Sequence, residues 1–273
     1  MKKRILLLLV ALCGLAVPSA VAQDTLVVSR PTLSMFTLEA GYGSIHDSYL
    51  TPITYDGVDV ALGYEAMRSA RIAPDKWLWQ LQLGVDYNYV ENPAGNNELH
   101  KVMGDIAFDM QRRWRGVWNP RLDLSVGPMA QVRAGIVYNA VNSNNPVTVR
   151  AHGNLGVTGM ATWRARLGSV PVKLRYQVQL PVVGVFFAPE YDESYYEIYL
   201  GNHDNLAHVG WWGNRLDMSH YVGADLHLGS AIVRVGYRAR IEHWSVNNLK
   251  VHDVSHAIVL GIGANLAAVR KPR

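Results

Sequence analysis

The stretch Trp77–Tyr89, WLWQLQLGVDYNY, alternates without a break over thirteen residues. Trp77, Trp79, Leu81, Leu83, Val85, Tyr87 and Tyr89 share one face, and Leu78, Gln80, Gln82, Gly84, Asp86 and Asn88 the other. A period of two is that of a β-strand with one apolar side. A strand in a soluble domain is usually about 5–6 residues long, whereas a tilted strand needs about 9–11 to cross a bilayer. The apolar face opens on two Trp and closes on two Tyr, which suits two membrane–water interfaces. The strand is therefore expected to cross an outer membrane.

The start of the chain reads as an export signal. Lys2, Lys3 and Arg4 precede the apolar run Ile5–Val17, and Ala20-Val21-Ala22 gives a cleavage site before Gln23. The expected organisation is a signal peptide at 1–22 and one barrel domain at 23–273. The full chain carries 26 Lys+Arg against 22 Asp+Glu. Removing 1–22 takes three bases and no acid, leaving 23 against 22. The basicity thus belongs to the signal, and no nucleic-acid partner is expected. The only cysteine, Cys13, lies in the same segment, so no disulfide or thiol chemistry is expected.

Further alternating segments follow along the chain, separated by connections that alternate in length. Short ones are expected near 72–76, 114–120, 167–170 and 229–230. Long ones are expected at 45–56, 91–98, 139–146, 187–214 and 246–253. Short periplasmic turns and long external loops are the rhythm of an up-and-down antiparallel outer-membrane barrel. About ten strands are expected, with both termini periplasmic; 187–214 is read as the largest external loop, although two more strands hidden there would make twelve. Arg121, Arg133, Arg150, Arg164, Lys173, Arg175, Arg234, Arg238 and Arg240 share the polar faces with Asp59, Glu65, Asp86, Asp105, Asp109, Asp123 and Glu242. An Arg facing lipid near the midplane would cost about 2–4 kcal/mol, so these side chains should fill a narrow lumen.

Four segments also carry a resemblance. They are the pattern Asp47-x-Tyr49-Leu50-x-Pro52-x-x-Tyr55-x-Gly57, YNAVNSNNP (138–146), LRYQVQLPVVGVFFAPEYDESYYEI (174–198) and VNNLKVHDVSH (246–256). Together they resemble an uncharacterised family of outer-membrane β-barrel proteins from Gram-negative anaerobes, a domain of unknown function. The resemblance implies fold and location and no activity.

Polar residues gather at the expected outer ends of strands. His46-Asp47 falls in the first loop, His203, Asp204 and His208 in the fourth, and His252, Asp253, Ser255 and His256 in the fifth. A Ser–His–acid grouping at a barrel rim can activate a nucleophile or a water. His203, Asp204, His208, Asp253, Ser255 and His256 are the catalytic candidates on this reading. Loops are also rich in such residues for turn and solvation reasons. No two histidines stand at a ligand spacing on a recognisable frame, so neither a metal nor a cofactor is expected. For binding, the candidates are Asp47, Tyr49, Tyr55, Tyr191, Asp192, Tyr195, Tyr196, Asn247 and Asn248. Tyrosine offers amphipathic contact area at low entropic cost. The competing reading makes the tyrosines an aromatic girdle or a cap on the lumen, and Asn247-Asn248 a turn. Six tryptophans, Trp77, Trp79, Trp163, Trp211, Trp212 and Trp244, read as interfacial anchors. The preferred expectation is a structural or surface-binding barrel that meets membrane lipid, lipopolysaccharide or a surface partner through its loops. A rim-sited hydrolase of lipid or peptide and a small diffusion channel are the alternatives.

Overall fold

A computed structural model describes residues 27–139, 141–142, 146–190, 194–201 and 205–270. The strands are β1 (Val27–Asp47), β2 (Thr54–Ser69), β3 (Trp77–Glu91), β4 (Glu98–Arg115), β5 (Leu122–Asn139), β6 (Val147–Leu167), β7 (Val170–Phe187), β8 (Ala207–Trp211), β9 (Arg215–Leu228), β10 (Ala231–Val246) and β11 (Leu249–Arg270). A single-turn helix, α1 (Tyr195–Tyr199), lies between β7 and β8. All pairings are antiparallel between successive wall strands, and β1 pairs with β11, so the sheet closes on itself. Closure removes every free edge, which is what a hydrocarbon environment demands of strands.

The short strand β8 does not add a stave. Val183–Phe187 of β7 pair with β8, and Val172–Gln179 of the same strand pair with β9. β8 and β9 are successive segments of one wall strand, interrupted where the Asn214 N–H donates to the Trp211 carbonyl (2.9 Å). The barrel therefore has ten staves, the expected number, and β8 with its turn occupies the C-terminal part of the expected 187–214 loop.

The wall is inverted relative to a soluble protein. On the outside, Leu62, Leu155 and Ile258 expose 64%, 61% and 61% of their surface, and Phe36, Val85, Ile106, Val132 and Val235 are exposed likewise. Inside, Arg234 exposes 1%, and Glu39, Asp59, Gln80, Gln111 and Arg150 are buried. Alternation puts neighbours on opposite faces, so each strand delivers both surfaces at once. A continuous apolar exterior of this extent would aggregate in water and matches a band facing lipid.

Two expected loops shrink. β1 runs on to Asp47 and β2 begins at Thr54, leaving 48–53 in place of 45–56. β10 and β11 are joined by Asn247-Asn248 alone, not by the expected 246–253 loop. Both asparagines are left-handed (φ 50° and 60°). Two such residues in a two-residue link are the condition for the primed turn that matches strand twist, and Asn tolerates it well. The ladder wins over the loop because Asp47 pairs with Val251 and Ile45 with Asp253 across β1 and β11. The remaining short turns, 70–76, 116–121, 168–169 and 229–230, gather at one end, where β1 begins and β11 finishes. The expected signal segment 1–22 lies outside the described residues.

Tight coiling of the wall depends on glycine. A Cβ on Gly41 would stand 1.8 Å from the His256 carbonyl oxygen and 2.6 Å from the Ala257 Cα, both backbone atoms that cannot step aside. The full chain folded in non-ionic detergent should migrate differently in gels before and after boiling. Gly41→Val should remove the unboiled species; an unchanged shift in that variant would mean the strands do not approach as closely as this.

Candidate functional site

The lumen is filled by charge, layered from the loop end to the short-turn end. In the upper layer, Arg150 donates to Asp47 (3.0 Å) and Asp253 (2.8 Å), and Lys101 to Asp253 (2.8 Å). Arg133 reaches Asp86 (2.6 Å), and Arg215 reaches Glu242 (3.1 Å) and Asp217 (3.4 Å). His152 stands 3.3 Å from Asp217. At mid-height, Glu39 holds Arg238 (3.0 Å) and Arg240 (2.8 Å). Lower still, Arg175 grips both Glu65 oxygens (2.6 and 2.8 Å), and Arg234 bridges Glu65 to Asp225 (2.6 and 2.9 Å to the latter). Forked pairs of this kind are the stronger class of hydrogen bond. The Tyr221 ring lies 4.9, 5.7 and 5.3 Å from the guanidinium carbons of Arg175, Arg234 and Arg238, so one aromatic face is shared among three cations. Beside it, Gln80, Gln111 and Gln177 form an amide chain, with Gln177 donating to Gln80 at 2.8 Å.

Above the upper layer sits an apolar lid. Ile45, Leu50, Tyr55, Val90, Leu99 and Val137 form one buried cluster, and Phe186, Ala188, Trp244, Leu249 and Val251 a second. Tyr49 packs against both and so ties them across the mouth. Tyr195 of α1 reaches down to the wall, accepting from the Val149 N–H at 2.5 Å, with its ring edge-on to Tyr49 at 6.0 Å. Burial raises the Tyr195 phenol above its ordinary value, keeping it neutral at this position. The helix is started by a capping box. Glu197 accepts from the Ser194 N–H (2.7 Å) and hydroxyl (2.9 Å), and the Glu197 N–H donates back to that hydroxyl (3.3 Å).

These positions redistribute the candidate residues. Asp47 and Asp253 are not rim groups; both are buried and consumed by Arg150. Tyr55 is buried in the lid and accepts from Asn97 Nδ2 (2.9 Å), so it presents no outer surface. Ser255 and His256 are adjacent on β11 and therefore face opposite ways: Ser255 is buried in the lumen while His256 is exposed outside. A pair on opposite faces of a strand cannot act on one substrate. His256 instead takes a hydrogen bond with the Tyr237 hydroxyl at 2.5 Å, and Tyr87–His100 and Tyr176–His220 repeat the pairing at 2.8 Å. His208 Nε2 meets the Ala188 carbonyl (3.0 Å), a backbone contact inside the loop. Tyr49 and Tyr195 belong to the lid, Tyr196 is exposed on α1, and Asn247-Asn248 form the turn. His203, Asp204, Tyr191 and Asp192 lie outside the described residues. Trp244, expected at an interface, is buried inward against Phe186 (5.5 Å between rings). Among the described residues no group of three His, Cys, Asp or Glu could hold a metal.

Alternation on β6 puts His152 on the polar face with Arg150, but sequence reading missed Glu39, Lys101, Arg215, Asp217, Tyr221 and Asp225 as lumen residues. Parity was the available signal. It would have found Lys101, an even number of positions from Asp105 on β4, whereas β1 and β9 carried no assigned inward residue from which to count.

Residues 5–273 match the family described as "protein of unknown function (DUF3316)". The chain belongs to that family. No curated protein matches it. Among solved structures it is similar to the outer-membrane protease OmpT from Escherichia coli, at 6% identity and TM-score 0.47, covering 89% of this chain and 99% of that one. It is also similar to the transport unit of the autotransporter AIDA-I from Escherichia coli (8%, TM-score 0.49, 91% and 94%) and the translocator domain of NalP from Neisseria meningitidis (7%, TM-score 0.39, 97% and 95%). At such identities the likeness is one of backbone, and the DUF3316 family brings no activity with it.

Glu65 is the hinge of the lower layer, and removing it leaves two buried guanidinium groups short of a counter-charge. Glu65→Ala should cost about 3–5 kcal/mol in urea unfolding of the lipid-embedded barrel. Asp75→Ala, which breaks the exposed pair with Arg115, should cost about 0–1 kcal/mol. Equal effects would mean the lumen pairs are as solvated as the surface one. Because hydrogen bonds from Ser194 hold the Glu197 carboxylate below its usual range, the cap is present at neutral pH and is lost as acidification passes that lowered value. Measured against the intrinsic exchange rate, protection of the amides in 194–200 should fall at that point in wild type and should already be low at neutral pH in Glu197→Ala.

Proposed function

We propose that this DUF3316 protein is an integral outer-membrane barrel that works as a sealed surface module, contacting lipopolysaccharide through its outer loops. The lipid-facing band and the alternation of turn and loop lengths support the location, with the loop end outward and both termini in the periplasm. The observation that carries the role is the closed outer mouth. The lid of Tyr49, Leu50 and Tyr195 lies over a lumen of paired charges, so solute has no path from the loop end. That side also carries the α1 segment, where Tyr196, Tyr199 and Leu200 expose 68%, 84% and 64%. Tyrosine faces stack on sugar rings and their hydroxyls serve the flanking polar groups, which suits a saccharide headgroup. A rim hydrolase is disfavoured because its Ser255 and His256 are divided by the wall, and a diffusion channel because the lid and the ion pairs block the bore.

In planar bilayers the protein should show no single-channel steps. Immobilised barrel should bind lipopolysaccharide core oligosaccharide, and Tyr196→Ala/Tyr199→Ala should weaken that binding about tenfold or more while leaving heat-dependent gel mobility intact. Steady conductance, or binding indifferent to both tyrosines, would remove the proposal. Ser255→Ala and His256→Ala should alter neither binding nor any lipase or peptidase signal.

A further inference from the structure

The two ends of the lumen differ. Below the Glu65 layer the bore opens toward the short turns into a cavity of about 280 Å³. Its charged lining includes Arg113, Asp123, Arg164, Lys173, Asp225 and His227. Both carboxylates are already engaged, Asp123 with Arg164 (3.0 Å) and Asp225 with Arg234 (2.6 Å). Arg113 has only neutral acceptors, the Ser69 hydroxyl (3.4 Å) and the Pro74 carbonyl (3.1 Å), and its Nε is buried with no acceptor. Lys173 has no carboxylate within ion-pair distance among the described residues. The Nε2 of His227 is buried and also lacks a partner. The adjoining rim cavity shares Arg164, Lys173 and His227 with this one, adds Arg121 and Arg166, and has no carboxylate in its lining.

We infer that this vestibule is a binding site for a compact phosphate-type dianion entering from the short-turn end. Its charge is not balanced from within: Arg113 and Lys173 remain as surplus cations in a concave mouth, and a cleft with an excess of one sign of charge concentrates counter-ions. Unfilled donors in such a place are satisfied together by tetrahedral oxygens, which take several N–H groups at once. The volume is close to the lower end of small-ligand pockets, about 300 Å³, and fits a phosphomonoester rather than a polymer. Free inorganic phosphate and the phosphoryl group of a small periplasmic metabolite share this chemistry. The inference needs the outer lid only to make the short-turn end the entrance, and it stands whether or not the loops bind saccharide.

Isothermal titration of the full-length folded barrel in non-ionic detergent at low salt tests it, with inorganic phosphate, glycerol phosphate and glycerol as probes. One saturable site is expected for the phosphates and none for glycerol. The tighter of the two phosphates identifies the source. Lys173→Met and Arg113→Met should each weaken binding about tenfold or more, while Arg71→Ala, which removes the same charge from an exposed turn, should leave it unchanged. Heat-dependent gel mobility checks that each variant is folded. No phosphate binding, or an equal loss in Arg71→Ala, would overturn the site and leave only diffuse basicity.

Discussion

Everything in this barrel depends on pairing charge inside a lumen too narrow to hydrate it. Ten staves enclose little more than their own side chains. A charge there is stripped of water, and only a counter-charge with good geometry makes that tolerable. The solution is a ladder of shared ions. Arg234 serves both Glu65 and Asp225, Glu65 also serves Arg175, and Asp253 joins Lys101 to Arg150. Arg234 and Asp225 are register partners on neighbouring strands, but the other links cross the bore between strands far apart in sequence and brace the wall as spokes brace a rim.

The two ends of the lumen differ. At the loop end, charge gives way to Leu50, Tyr55, Val90 and Trp244, which pack into buried apolar clusters. At the short-turn end a smaller apolar cluster of Leu33, Met35 and Ile232 packs to one side, and Arg113 and Lys173 line a cavity beside it. One architecture thus separates a loop end, where Tyr196 and Tyr199 are exposed, from a short-turn end where cations line a cavity.

Much of the fold was legible because alternation reports which face a residue takes. Trp77–Tyr89 announced both a strand and its inverted environment, and the lumen arginines followed from parity. Failures came where local turn chemistry was weighed above continuing parity. Asp47 and Asp253 sit beside His, Asn and Ser, and so read as loop residues. The β1–β11 ladder carries them into the bore instead. Ser255 and His256 were grouped by nearness in sequence, although a strand of period two must separate them. Trp244 was read as an interfacial anchor by residue type, yet its even position on β10 points it inward, like Arg234 and Glu242.

By itself the sequence determined the strand faces, a count of about ten strands with twelve still open, and the need for apolar surroundings on one side of every strand. These are local properties, set by period and composition. Only the tertiary structure decided which acid meets which base, that Tyr49 and Tyr195 meet at one end, and that Arg113 and Lys173 line a cavity at the other. Such facts depend on the stagger between strands and on closure of β1 against β11, which bring together residues a hundred or more positions apart, as in Arg150 with Asp253. No local pattern encodes that stagger, because the counter-charge across a barrel is chosen by geometry rather than by neighbourhood in the chain.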